Sequence, residues 1–434
     1  MSPVIIGIIG IIVLIGLFLL RMPVGFALAF VGFIGFGFLV SPGAGLGVLA
    51  RDIFHIFSSY SLTVIPMFVL MGSIASASGM SKRLYDASYA MLGRLRGGLA
   101  IATVAGCAGF AAICGSTNAT AAAMGKVALP EMKRYNYADS LATGSVAAAG
   151  SLGILIPPST IFIIYGIMTE QSIGKLFLAG ILPGLMLATL FVIVIILLCW
   201  HNPKLAPAGV ATSWKEKLAG LGGVIETLLL FSVVIVGLFL GWFSPTQAGG
   251  AGAAGALVIG LASRQLTWQK FLGAVKDALR ITCMVMVIVA GATVFGHFIA
   301  VAKIPLVLAD WVVALPLPPM AIMGVIVLIY LVGGCFMDAL ALITLTIPIL
   351  YPLVLALGFD PIWFGVIIVL VTEMGVITPP VGVNVYVIKG IARDVPLETI
   401  FKGIIPFLIA LIIVVGILMS VPGIATFLPG LTTY

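Results

Sequence analysis

Charge is what this chain has least of. Only 8% of its 434 residues are Asp, Glu, Lys or Arg, while 62% are hydrophobic. That balance excludes a soluble domain. No polar block is long enough for an extramembrane domain. The start, Met1-Ser2-Pro3-Val4-Ile5-Ile6, has no basic segment, and no small-residue cleavage site follows the first apolar run. The expectation is therefore a retained first helix, not a removed leader. The three histidines are scattered, which excludes a histidine metal cluster. The five cysteines (Cys107, Cys114, Cys199, Cys283 and Cys335) all lie in apolar segments without a C-x-x-C pair. They read as small buried residues, with neither a disulfide nor a zinc framework. There is no G-x-x-x-x-G-K-[ST] phosphate loop and no H-E-x-x-H, and nothing resembles a nucleophile–base pair. An enzyme is not indicated, no cofactor is called for, and an ion gradient is the natural energy source.

What the chain has is apolar length. Runs near the ~20 residues that span a bilayer recur at 4–20, 23–40, 61–79, 176–199, 223–243, 281–302, 319–336 and 401–422. Barrel strands would be alternating segments of ~10 residues, so these runs predict an all-α polytopic membrane protein. The net charge of +7 then reflects loops on the cytoplasmic side. Its clusters are Lys82/Arg83/Arg94/Arg96, Lys133/Arg134, Lys215/Lys217, Arg264/Lys270 and Lys389/Arg393. Arg21, closing the first helix, places the N-terminus outside.

Two short segments nearly repeat each other. Residues 153–158 read Gly-Ile-Leu-Ile-Pro-Pro, and residues 375–380 read Gly-Val-Ile-Thr-Pro-Pro. A double proline removes two backbone donors and disfavours helix before it. The freed carbonyls cannot face lipid, so they line a protein cavity. Paired helix breaks in corresponding halves mark the binding site of a secondary transporter.

The surroundings repeat as well. Residues 97–130 form two short apolar runs joined by the polar knot Cys114-Gly115-Ser116-Thr117-Asn118-Ala119-Thr120, the pattern of a reentrant hairpin. Residues 319–352 repeat it around Gly334-Cys335-Phe336-Met337-Asp338. Asp139 precedes Pro157-Pro158 by about the distance at which Asp360 precedes Pro379-Pro380. The lag is roughly 220 residues, and the reading is an inverted repeat. It divides the chain into scaffold helices and an interfacial arm (1–96), a first transport repeat with its following helix (97–200), and a loop (201–221). Scaffold of the second half (222–318), a second transport repeat (319–395) and a C-terminal helix (396–434) follow. The stretches around Arg51/Asp52/His55 and 82–96 read either as interfacial helices or as ordinary loop helices.

Within this frame Ser116, Thr117 and Asn118 either surround an ion and an anionic substrate or serve as interhelical glue. Half-helix N-termini suit anions, and unwound carbonyls suit Na⁺. The predicted first Na⁺ site draws on Ser116, Asn118, Gly150, Gly153 and Pro157. The second draws on Asp338, Gly375, Thr378 and Pro379. Asp338 is a charge in an apolar run, a functional candidate by default, or else a helix cap. Glu373 is either functional or paired with a structural lysine. Lys126 and Lys303 are candidates to meet a substrate carboxylate, unless Lys303 snorkels to the interface. The glycines Gly32/Gly35/Gly37 and Gly249/Gly250/Gly252/Gly255 read as close packing.

Several strings together resemble a known family. They are residues 114–125 (Cys-Gly-Ser-Thr-Asn-Ala-Thr-Ala-Ala-Ala-Met-Gly), 129–134 (Leu-Pro-Glu-Met-Lys-Arg) and 150–159 (Gly-Ser-Leu-Gly-Ile-Leu-Ile-Pro-Pro-Ser). In the second half they are 358–365 (Gly-Phe-Asp-Pro-Ile-Trp-Phe-Gly) and 373–382 (Glu-Met-Gly-Val-Ile-Thr-Pro-Pro-Val-Gly). Over nearly its whole length the chain resembles the large membrane subunit of tripartite ATP-independent periplasmic (TRAP) transporters. The resemblance implies an elevator-type, Na⁺-driven importer of small organic anions, carboxylates or sulfonates, in the bacterial inner membrane. It implies a small four-helix membrane subunit and a soluble periplasmic substrate-binding protein as partners, neither fused to this chain. The family's tip is usually serine-rich where this chain has Ser116-Thr117-Asn118. The alternative is a single-component ion-coupled carrier that needs no binding protein.

Overall fold

The computed structural model describes residues 2–207 and 214–432, with backbone only over 214–221. Among the described residues there are helices and no strands. The first half comprises α1 (Pro3–Leu19), α2 (Val24–Leu39), α3 (Pro42–Ser58), α4 (Val64–Ala77), α5 (Met80–Leu92), α6 (Gly98–Cys114), α7 (Thr117–Arg134), α8 (Asp139–Leu155), α9 (Thr160–Thr169) and α10 (Ile173–His201). The second comprises α11 (Trp214–Phe239), α12 (Pro245–Ala262), α13 (Trp268–Val301), α14 (Ile304–Val313), α15 (Pro319–Gly334), α16 (Ala339–Ala356), α17 (Pro361–Ile377), α18 (Val383–Ile391), α19 (Leu397–Ser420) and α20 (Gly423–Gly430). Seven of the described helical stretches are long and apolar enough to cross a membrane.

Local sequence explains the starts. Ser41-Pro42, Ser244-Pro245 and Asp360-Pro361 each place a capping side chain before a proline in the first turn. The cap accepts a backbone N–H that would otherwise be orphaned, and the proline lacks a donor there anyway. Ser244 and Gln247 complete a reciprocal capping box.

Both hairpins are present, and their arms run longer than the sequence indicates. α7 continues through Pro130 to Arg134, and α16 continues through Pro348 and Pro352 to Ala356. A proline costs the helix one hydrogen bond, which packing against neighbouring helices offsets. The stretch 201–221 is not loop throughout. A 3₁₀ turn at Pro203–Leu205 follows α10, and α11 already begins at Trp214; residues 208–213 of that stretch lie outside the described residues. The C-terminal region holds α19 and α20, divided at Val421-Pro422, where one helix was expected.

The scaffold is built by close approach. Gly25 and Gly32 of α2 lie on the backbone of α13 at Val287 and Phe295. Gly249 and Gly252 of α12 lie on Met67 and Met71 of α4. These glycines act in packing, as expected; Gly250 faces open space. The arm helices are tied down by charge. Arg83 of α5 donates to Glu226 of α11 from Nη2 at 2.7 Å and from Nε at 2.9 Å. On α3, Asp52 is buried beside His297 of α13, with Nε2 3.1 Å from Oδ2. Of the cysteines, Cys107, Cys199 and Cys335 are buried, Cys114 is half-buried, and all are free. Cys283 departs from the expectation. It sits on an outward face of α13 and is exposed, because an apolar helix in a bilayer buries only part of its circumference in protein.

Candidate functional site

The first tip is short. α6 ends at Cys114, Gly115 turns with φ +64°, and Ser116 starts α7 by accepting the Ala119 N–H on Oγ at 3.4 Å. Positive φ is open to glycine without penalty. The first broken helix stops at Leu155 and resumes at Thr160, capped by Ser159, whose Oγ accepts the Phe162 N–H at 3.3 Å. Between them Ile156, Pro157, Pro158 and Ser159 are all buried.

Tip and break fit each other through absent side chains. A Cβ on Gly153 would lie 2.5 Å from the Ser116 carbonyl oxygen and 2.8 Å from Thr120 Oγ1. A Cβ on Gly150 would lie 2.6 Å from that of Ala121. Thr160 Oγ1 donates to the Gly115 carbonyl at 2.7 Å. The first turn of α7 thus lies in a glycine groove at the end of α8. Ser116, Gly150 and Gly153 are brought to one place; Asn118 and the buried Thr117 lie in the same first turn of α7, and Pro157 precedes Pro158, whose carbonyl meets Gly115.

The second tip repeats this geometry. Asp338 caps α16, with Oδ2 accepting the Leu340 N–H at 3.1 Å. Gly334, ending α15, meets Gly375 of α17, where a Cβ would fall 2.5 Å from the Gly334 Cα. Thr378 donates its N–H to the Gly375 carbonyl at 3.1 Å and its hydroxyl to the Met374 carbonyl. Asp338 is exposed, not buried in an apolar run as the sequence indicated. Capping lifts it out of the helix onto the tip. Pro379 and Pro380 are exposed too, beside a cavity of about 310 Å³ lined by Ile377, Phe401 and Lys402 among others. The first break is closed over and the second is open. Both Pro-Pro bonds are cis.

The two repeats exchange their half-helices. α18 packs on α7 of the first repeat, with Ile388 and Ile391 against Gly125. α9 packs on α16 of the second, with the Tyr165 and Tyr351 rings 6.3 Å apart. Tyr165 Oη donates to the Pro361 carbonyl at 2.5 Å, and Asn384 Nδ2 of α18 donates to the Ala147 carbonyl of α8 at 3.2 Å. Neither transport repeat is complete without the other.

The polar chemistry here is rich in acceptors. Among the described residues the buried Asn118 Oδ1, Thr120 Oγ1, Asn384 Oδ1 and both carboxylate oxygens of Glu373 lack a hydrogen-bond partner of good geometry; Glu373 faces the Leu155 backbone and Thr120 the Cys114 thiol. At the breaks some last-turn carbonyls keep partners, Leu152 from the Ile156 N–H and Met374 and Gly375 from Thr378, and the others are freed. Orphaned buried acceptors are costly. Hard oxygens from carbonyls, an amide and hydroxyls are the donor set an alkali cation takes, so the residues fit Na⁺. Glu373 is fully buried on α17 where it packs on α8. Among the described residues no lysine pairs with it, which goes against the structural-pair reading.

Two lysines are not brought in. Lys126 is exposed on α7, ten residues past Ser116 and about 15 Å along the helix. Lys303 is exposed at the corner between α13 and α14, and its neighbours Ala302 and Ile304 press on Gly7 of α1. It belongs to the scaffold. Sequence reasoning missed Thr120 and Asn384. Thr120 lies inside the quoted tip string. Asn384 is a lone polar residue in the apolar run after the second double proline, a signal that could have found it.

Known proteins resemble this chain over most of its length. Residues 11–424 match the family model described as "Tripartite ATP-independent periplasmic transporter, DctM component". The C4-dicarboxylate TRAP transporter large permease protein DctM of Pseudomonas aeruginosa is 36% identical over 88% of this chain and 89% of that protein. The sialic acid TRAP transporter large permease protein SiaM of Vibrio cholerae is 32% identical over 96% and 97%. The isethionate TRAP transporter permease protein DctMQ of Oleidesulfovibrio alaskensis is 34% identical over 96% of this chain but only 66% of its own length. Among solved structures, the Alcanivorax borkumensis YdaH transporter superposes with a TM-score of 0.62 at 17% identity, covering 90% of each chain. That likeness concerns the fold alone.

Proposed function

The chain belongs to the DctM-component family of tripartite ATP-independent periplasmic transporters; from that premise we propose that it is the large permease of a Na⁺-coupled importer of a small organic anion, working by an elevator cycle. The observation that carries this reading is the pair of hairpin tips. Each is seated on a broken helix of its own repeat, and unpartnered oxygens surround the first. Relatives in the family are named for C4-dicarboxylates, sialic acid and isethionate, which supports a carboxylate or sulfonate as cargo.

Ser116, Asn118, Gly150, Gly153 and the Pro157 break would hold one Na⁺. Asp338, Gly375, Thr378 and the Pro379 break would hold a second. The cation supplies the positive charge that the acceptor-rich tips lack. The anion then lies between the tips, against the N-terminal turns of α7 and α16, whose dipoles favour negative charge. Thr117 and Asn118 of the first turn face it from one side and Asp338 from the other. A carboxylate facing an anion is repulsive unless a cation sits between them, which makes anion binding depend on Na⁺.

Topology follows from charge. The base of the first hairpin carries exposed Arg94, Arg96, Lys133 and Arg134. The base of the second, residues 314–318 and 357–360, has neither Lys nor Arg. The positive-inside rule then sends the first hairpin in from the cytoplasm and the second from the periplasm, with the N-terminus periplasmic. The scaffold of α1–α5 and α11–α14 stays fixed while the exchanged repeats move as one body. The small membrane subunit braces that scaffold, and a periplasmic binding protein delivers the anion.

The test is uptake into proteoliposomes holding this chain and its small membrane partner. An inward Na⁺ gradient plus loaded binding protein should drive accumulation, and a K⁺ or H⁺ gradient alone should not. Full uptake without Na⁺ would overturn the coupling, and equal uptake of free substrate without the binding protein would overturn the tripartite reading.

A further inference from the structure

Lys303 has no role in the transport site, yet its position is specific. It is the corner residue between α13 and α14 and adopts φ +60°, a conformation uncommon for non-glycine residues. Among the described residues its ammonium makes no hydrogen bond or ion pair. Five residues earlier on the same helix, the Phe298 ring forms the floor of a groove between α1 and α2. Gly10 and Gly35 open that floor, since a Cβ on Gly10 would lie 2.5 Å from the ring. The groove encloses about 260 Å³ and is lined wholly by apolar residues, with Ile6, Ile9 and Val13 on one wall and Phe30 and Ile34 on the other. Its end at Ile6–Gly7 is where Ala302 and Ile304 touch α1. The lysine thus stands at the mouth of a narrow apolar slot. Lys303 follows the last turn of α13, a helix long and apolar enough to cross a membrane, which sets it at interface depth.

We propose that this groove is a binding site for one anionic phospholipid, with an acyl chain along Phe298 between α1 and α2 and the headgroup phosphate on Lys303. The occupant follows from charge and shape together. An unpaired cation at interface depth attracts an anionic headgroup. A glycine-floored slot without polar lining takes a methylene chain and offers nothing to a polar ligand. A lipid held there would wedge α1 against α2 and α13, in the small apolar cluster that stands apart from the main core.

The experiment uses the chain purified with its small membrane partner and equilibrated in mixed micelles with phosphatidylglycerol or phosphatidylcholine. Retained lipid is counted by native mass spectrometry. The wild type should retain phosphatidylglycerol in preference by about fivefold, the worth of one basic residue near an anionic surface. Lys303→Gln should erase the preference, and Lys303→Arg should keep it. Ile9→Trp, which fills the slot from its exposed wall, should lower retention of both lipids. The proposal fails if the wild type shows no preference, or if Lys303→Gln retains it. It fails equally if a Val13→Cys cross-linker captures the small subunit, since the groove is then a protein interface.

Discussion

Gly375 of the second broken helix lies backbone to backbone on Gly334 of the second hairpin; the position a Cβ would take on Gly375 is 2.5 Å from the Gly334 Cα. The corresponding contact in the first repeat is Gly153 on the Ser116 carbonyl, also at 2.5 Å. Neither gap accepts a methyl group without moving main chain.

Gly375→Ala and Gly153→Ala should therefore unseat their tips. Overpacking of this kind costs about 1–3 kcal/mol. The purified variants should unfold at lower temperature and lose most uptake. A variant with a wild-type unfolding midpoint and full transport would show that the close seating is incidental.

Asn118→Ala and Ser116→Ala should cut Na⁺-dependent uptake far more than stability. Asn118 Oδ1 has no hydrogen-bond partner among the described residues, so its loss breaks no bond there. Ser116 is a helix cap, worth about 1 kcal/mol. Gly32→Ala would be a poor control, because a Cβ there would lie 2.6 Å from the Phe295 backbone nitrogen. Gly250→Ala, facing open space, is the suitable one and should transport normally. The check is the Na⁺ concentration for half-maximal uptake, which should rise in the tip variants alone.

Glu373→Leu should leave the fold intact or firmer while impairing transport. Among the described residues its buried carboxylate has no hydrogen-bond partner of good geometry, only the Leu155 backbone nearby, and exchanging a poorly compensated polar group for an apolar one is often neutral or stabilising. Thermal unfolding alongside uptake decides this. A large loss of stability would mean that the Leu155 backbone satisfies the carboxylate.

Lys133 and Asp394 form an exposed ion pair joining the end of α7 to the loop after α18. The hydrogen bond and charge of Lys133 lower the Asp394 pKa, and the same bond from Asp394 raises that of Lys133. The signs set the window. The carboxylate's share of stability is present above its usual range and fades as pH falls through its lowered value. The lysine's share is full below its usual value and is lost as pH rises through the raised one. Near neutrality both are present and flat. Solvent screens the pair, so Asp394→Asn should leave uptake and the neutral-pH unfolding midpoint almost unchanged; a marked drop in either would make this contact a mechanical link between the repeats.

Composition by itself determined that this is a helical membrane protein, because 62% hydrophobic residues in runs of membrane length have no other stable arrangement. The paired Gly-x-x-x-Pro-Pro strings located both breaks, since proline acts on its own backbone and needs no tertiary context. The knots at Ser116–Asn118 and Asp338 located both tips by the same local logic. Tertiary structure alone decided which groups face one another. It put Asp338 on an exposed cap, gave Glu373 no lysine partner among the described residues, moved Lys303 to the scaffold, and brought Asn384 from the second repeat onto Ala147 of the first. The last of these depends on the exchange of α9 and α18 between repeats. Such an exchange is set by the summed packing of whole helix faces, which no short string of residues encodes.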